Sequence, residues 1–160
     1  MPEPLIITTP GDREIVVRRT FDAPRDLVFL CYSKPELLRR WYGLPDWTMT
    51  VCEIDFRVGG KWRFVTRAPG GFEMGASGIY RTIEPPVRVV STEIYDQDWT
   101  GGETIVTLNL TEKDGRTTAT TSVLYATPEA RAAAAASPMA TGMEIGFTRL
   151  DELLASEASA

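Results

Sequence analysis

The chain has no histidine among its 160 residues. That removes Ser-His and Cys-His catalytic pairs and every histidine metal site. It also removes the side chain that most often titrates near neutrality. A metal site built from carboxylates alone stays open, but no spacing like that of an EF-hand loop occurs, and no cofactor is expected. Cysteine is scarce: Cys31 falls in a predicted helix and Cys52 in a predicted strand. Such a pair is expected to be two reduced, buried thiols. No apolar run approaches the ~20 residues that a membrane span needs. Basic residues are in the minority, 17 Lys and Arg against 22 Asp and Glu, giving a net charge of −5 and a pI near 4.8. That excess of acid argues against nucleic acid or an anionic membrane as partner. The first residues hold no basic stretch followed by an apolar one, so a cytoplasmic location is expected.

What is present suits a soluble globular protein of one domain, 43% hydrophobic and 24% charged. Residues 1–12, with three prolines and a glycine, read as a flexible arm. The domain is expected over 13–156. Ile15, Val17 and Phe21 alternate with polar Glu14, Arg18 and Thr20, which predicts a half-buried strand. Pro24 opens a helix with Leu27, Val28, Cys31 and Tyr32 on one face. Ser33 with Glu36 fits a capping box for a second short helix ending near Gly43.

Strands follow over 47–57 and 61–67, joined at Gly59-Gly60, and then over 74–83, 87–96, 103–111 and 116–125. Asp98 to Gly102 reads as a loop, and Asp114-Gly115 is a strong hairpin signal. After Tyr125 the period changes from two to helical. Thr127-Pro128-Glu129 starts an alanine-rich helix over 130–136, interrupted at Pro138. Met143, Phe147, Leu150 and Leu154 then form the stripe of a long amphipathic helix that starts between Ser137 and Glu144. Strand, two helices, six strands and a helix make an α+β order.

The densest motif is Ile54-Asp55-Phe56-Arg57-Val58-Gly59-Gly60-Lys61-Trp62-Arg63-Phe64, a strand running through a double glycine into another strand. Around it lie Phe21-Asp22-Ala23-Pro24-Arg25, Lys34-Pro35-Glu36-Leu37-Leu38-Arg39-Arg40-Trp41, Gly78-Ile79-Tyr80 and Glu84-Pro85-Pro86-Val87. The terminal run is Gly142-Met143-Glu144-Ile145-Gly146-Phe147. In this order and spacing, over residues 13–154, the chain resembles the family named after activators of the heat-shock-protein-90 ATPase. That family sits within the START-like superfamily of polyketide-cyclase-like and birch-pollen-allergen-like proteins. The resemblance implies a helix-grip fold: a curved antiparallel sheet of about seven strands around a long C-terminal helix, with two short helices after the first strand. It also implies a cavity between helix and sheet.

The candidate residues for that cavity are Trp41, Trp62, Phe64, Tyr80, Glu93, Leu108, Met143 and Phe147, with Met139 in the same aromatic and methionine set. Phe147 and Leu150 are expected to face the concave side of the sheet, opposite Trp62 and Phe64. Glu93 points inward if Val89, Ser91 and Tyr95 do; the other face of its strand, Val90, Thr92 and Ile94, is as apolar. Gly142 and Gly146 serve close packing or leave room for a ligand. Asp55 and Arg57 share a strand face, as a structural ion pair or as a site for an acidic or carbonyl group. The expected function is binding of an apolar or amphipathic small molecule, with a stress-related role, by a monomer or homodimer. The alternatives are a cyclase, dehydratase or hydrolase using the same cavity, and a co-chaperone-like interaction module.

Overall fold

The structure, a computed structural model, describes residues 5–43, 46–97 and 102–158. Residues 98–101 of the expected loop and the Met139 side chain lie outside the described residues. Its elements are β1 (Ile6–Thr8), β2 (Glu14–Phe21), α1 (Arg25–Ser33), α2 (Pro35–Leu38), β3 (Thr48–Ile54), β4 (Lys61–Arg67), β5 (Glu73–Glu84), β6 (Arg88–Tyr95), β7 (Thr104–Lys113), β8 (Arg116–Leu124), α3 (Pro128–Ala136) and α4 (Met139–Ala158). The strands form one antiparallel sheet in the order β1-β2-β8-β7-β6-β5-β4-β3. This is the helix-grip arrangement, with eight strands where about seven were expected. The extra one is β1. Its residues read as part of the arm, yet they pair with Val16 to Arg18 on β2.

Local chemistry accounts for the element ends. Asp114 and Gly115 both take positive φ, 54° and 76°, which is the backbone a two-residue hairpin demands. The Thr127 side chain accepts the Ala130 N–H and caps α3, whose first residue is Pro128. The capping box expected at Ser33 does not form. Ser33 lies within α1, and its hydroxyl donates to the Phe29 carbonyl one turn back. Lys34 occupies the cap of α2, without a side-chain bond.

The alternation read from the sequence is the burial pattern. Ile15, Val17 and Phe21 on β2, and Leu108 and Leu110 on β7, sit in one core with Phe147, Leu150, Leu153 and Leu154 of α4. One member of the buried face of β2 is not apolar. Arg19 keeps 4% of its side-chain exposure and reaches α4, where it donates to both carboxylate oxygens of Asp151 at 2.9 and 2.6 Å. The guanidinium also lies 5.0 Å from the centre of the Phe21 ring. A bidentate pair of this kind holds an orientation as well as a distance. Arg149 adds a second tie, donating to the carbonyls of Gly43 and Arg40 in the turn after α2.

The double glycine organises β5. Gly59, at φ 84°, donates to the Tyr80 carbonyl, and the Tyr80 N–H donates to the Gly60 carbonyl. A Cβ at Gly60 would overlap the Asp55 carbonyl, so the turn closes only with glycine there. Nearby, Gly78 lies opposite Trp62. Its missing side chain lets the indole N–H cross β5 to the Thr92 carbonyl at 3.2 Å. The Ile79 N–H meanwhile goes to the Thr92 hydroxyl at 3.0 Å. Side chains thus serve backbone groups where the β5–β6 ladder skips from Ser77–Ile94 to Tyr80–Ser91, just before the register shift between Tyr80 and Thr82.

Two outcomes follow. Asp151→Asn leaves the Arg19 guanidinium without its counter-charge and should cost about 3 kcal/mol in urea unfolding. Arg19→Met combined with Asp151→Leu should recover most of that loss; a double variant as unstable as the single one would refute the pairing argument. Gly78→Ala would push a methyl against the Thr92 carbonyl and the Trp62 indole, at ~1–3 kcal/mol or more. A shift in tryptophan emission should accompany it, and an unchanged spectrum and midpoint would contradict the close approach.

Candidate functional site

Six aromatic rings run in sequence from the helix to the sheet. Phe21 meets Phe147 edge-on at 5.5 Å between centres, and Phe147 stacks on Trp41 at 6.2 Å. Trp41 meets Tyr42 at 6.3 Å, Tyr42 meets Phe64 at 5.3 Å, and Phe64 meets Trp62 at 4.7 Å. The indole of Trp41 is fixed by donating to the Cys31 carbonyl at 2.9 Å. The series brings four candidate residues, Trp41, Trp62, Phe64 and Phe147, into one wall. Phe147 lies against Phe21 of the sheet and Trp41, and the rings next to Phe64 are Tyr42 and Trp62. Tyr42, in the turn after α2, is the link that sequence reasoning did not single out.

The remaining candidates divide between two clusters. Trp41, Leu108 and Phe147 are buried in the main core, with Met143 and Phe64 half-buried against it. Trp62 and Tyr80 are buried in a smaller cluster with Ala76, and Phe64 touches both. Tyr80 also joins Phe56 and, through it, Phe29 of α1. Gly146 is buried beside Trp41, whose carbonyl would lie 3.5 Å from an added Cβ. Of its two readings, close packing is the one the contacts support, and the surface approached is the turn after α2 rather than the sheet. Asp55 and Arg57 form an exposed pair at 2.9 and 3.1 Å. Its geometry is that of a local turn brace.

Glu93 faces inward. It pairs with Thr104, which is fully buried on β7, while the next residue, Ile94, is exposed on the convex side. Burial pushes the Glu93 carboxyl from the usual carboxylate range up to about 7, without help from any neighbouring charge. Among the described residues no hydrogen bond or ion pair to this carboxyl is present. Three phenols sense its charge: Tyr42, Tyr95 two residues along β6, and Tyr125 just past β8. Desolvation first, then Glu93, raises Tyr125 to about 12. Tyr42 and Tyr95 are raised further, and the two side chains are hydrogen-bonded to each other. Tyr95 was legible as sharing the face of Glu93. Tyr42 and Tyr125 come from other elements, and no local signal marks them.

Both cysteines are free and buried, and burial lifts Cys31 to about 11, so neither is an activated thiol. Among the described residues no group of three or more side chains of the metal-ligating kind converges. No described helix is long and apolar enough to cross a membrane. An open groove crosses the convex face over Val51, Val65, Ile79 and Ile94 and reaches Trp62, the last ring of the series.

The comparisons agree with this geometry. A family model described as "Activator of Hsp90 ATPase homolog 1-like protein" matches residues 22–155. A crystal structure of a protein from Rhodobacter sphaeroides is 39% identical, over 96% of this chain and 99% of that one, with a TM-score of 0.91. A solution structure of a protein from Staphylococcus epidermidis is 26% identical over 94% of each chain, with a TM-score of 0.81. A Nitrosomonas europaea protein, 22% identical over 95% of this chain and all of its own, shares the fold with a TM-score of 0.83. Among curated proteins nothing matches.

The raised Glu93 carboxyl sets the sign of one pH effect. The folded state binds this proton more tightly than the unfolded chain, whose value is near 4.5. Its contribution is therefore complete below about 4.5 and is lost as pH rises through about 7, by ~3 kcal/mol at most. Glu93→Gln should remove that slope and leave the variant more stable than the parent above neutrality. Thermal melts of both across this window test it, and parallel curves would place the carboxyl in water.

Proposed function

The chain belongs to the family of activator of Hsp90 ATPase homolog 1-like proteins, and from that premise we propose that it binds an amphipathic small molecule between α4 and the concave face of the sheet. The observation that carries this reading is Glu93: one carboxyl without a described partner on a face lined largely by aromatic and aliphatic side chains. Binding sites for small molecules typically have this make-up, mostly apolar walls with few polar groups to fix orientation. Trp41, Phe64, Leu108, Met143 and Phe147 supply apolar wall, and Glu93 with its phenols supplies the polar end. Removing apolar ligand surface from water would drive binding, at ~25 cal/mol per Å² before the costs of association.

The same carboxyl favours a second reading. A group titrating near neutrality is what general acid–base chemistry needs, and this chain has no histidine to provide one. No nucleophile–base pair accompanies it among the described residues, so binding is the reading adopted. Among the described residues, no surface feature singles out a chaperone partner.

An environment-sensitive apolar dye should bind the native protein and change tryptophan emission, since Trp41 and Trp62 belong to the ring series. Phe64→Ala, within the wall, should change dye affinity at least fivefold, about 1 kcal/mol. Ile94→Ala, on the convex groove, should leave it unchanged. The reverse pattern would move the site to the outer face, and no binding by any variant would end the reading.

A further inference from the structure

Among the described residues of the concave face, the charged side chains Arg19 and Glu93 have opposite fates. Arg19 is matched by Asp151 on α4 at 2.6 Å. Glu93 is matched by nothing described. The other cations near the fold's closing elements are engaged elsewhere. Arg63 is on the convex side with Asp96 at 2.6 Å, and Arg149 is spent on the carbonyls of Gly43 and Arg40. The groups beside Glu93 are neutral: Thr104 across on β7, Ser91 and Tyr95 along β6, and Tyr42 from the turn after α2, hydrogen-bonded to Tyr95; Tyr125, just past β8, senses its charge. Phe64 lies 5.3 Å from the Tyr42 ring, extending the aromatic lining away from the carboxyl.

A carboxylate with phenols nearby and no cation among the described residues is complementary to one ligand chemistry above others. An organic cation supplies the missing charge, and aromatic rings favour it further through their quadrupoles. A neutral polar group could at best hydrogen-bond to the acid, and an anion would be repelled once the carboxyl ionises. Resting on the small-molecule reading above, we propose that the ligand is a cationic amphiphile, an apolar body bearing an amine or quaternary ammonium group that sits against Glu93 among Tyr42, Tyr95 and Tyr125. The apolar body lies along Phe64, Leu108 and Met143.

This carries a pH signature. The carboxylate is the form that meets the cation. Affinity therefore rises with pH through the carboxyl's midpoint and falls about tenfold for each unit below it. Bound cation in turn pulls that midpoint down, so binding near neutrality releases a proton.

The test uses three chain-matched probes below their aggregation concentrations: decyltrimethylammonium, decanol and decanoate, titrated into the full-length protein by calorimetry. The quaternary probe does not titrate, so any pH dependence belongs to the protein. Above the midpoint, decyltrimethylammonium should bind at least tenfold tighter than decanol, and decanoate should bind weakest. Proton release should appear as a dependence of the measured heat on buffer ionisation enthalpy. Glu93→Gln should reduce the preference for the cation over decanol to about twofold or less. The pH series on the unaltered protein gives the same answer independently of any variant. If decanol binds as well as the cation at every pH, the cation proposal is overturned while the small-molecule reading stands. If none of the three binds, both are overturned.

Discussion

A helix can be held in a curved sheet by apolar contact alone, but such contact does not fix its rotation or depth. In this protein a buried ion pair does. Arg19 leaves the apolar face of β2 and grips Asp151 through both carboxylate oxygens. The pair tolerates little rotation of α4, because the guanidinium fork and the carboxylate must stay coplanar. With Asp151 held, Phe147 and Leu150 fall on the inner side, and the stack of Phe147 on Trp41 follows. The turn after α2 is then tied by Arg149, which sets Tyr42 against Phe64. The position of Tyr42 against Phe64 is thus traceable, contact by contact, to the charge pair that holds α4.

The sheet meets this from its own side through glycine. Gly59 and Gly60 exchange backbone bonds with Tyr80 and so fix where β5 carries its buried ring. Gly78 provides the vacancy across which Trp62 reaches the Thr92 carbonyl. That bond stiffens β6 one residue before Glu93. Absence of side chains at these positions does as much to shape the concave wall as the aromatic residues do.

Most of the fold was legible because its cause is one-sided burial, which writes period two into strands and a four-three-four stripe into α4. Val106, Leu108 and Leu110 faced inward as their alternation predicted, and the long helix began at Met139, inside the range read from Ser137 to Glu144. What was illegible depends on partners distant in sequence. Ile6 to Thr8 is too short to show a period and becomes a strand only because β2 offers an edge. The Ser33 hydroxyl had two equivalent uses, and the helix interior took it. Arg19 breaks the apolar alternation of its strand, and only α4, some 130 residues away, explains it. Glu93 could not be placed because both faces of β6 are apolar. The register against Thr104 decides it. Tyr42, Tyr95 and Tyr125 converge from three separate segments, which no spacing rule reports.

Family membership and site chemistry answer different questions. A relative 39% identical over nearly the whole chain establishes the fold and the family, and folds of this kind serve more than one purpose. The distinguishing fact is energetic. Burial disfavours the Glu93 carboxylate by ~3 kcal/mol near neutrality, in a chain whose total stability belongs to a class of about 5–15 kcal/mol. An amide of the same shape would avoid that cost and fill the same volume. Arg19, buried no less deeply, is relieved of a comparable penalty by Asp151. The asymmetry between the two charges is therefore not a property of the fold, which could neutralise both. Among the described residues, Glu93 is the charge on the concave face that no other side chain answers.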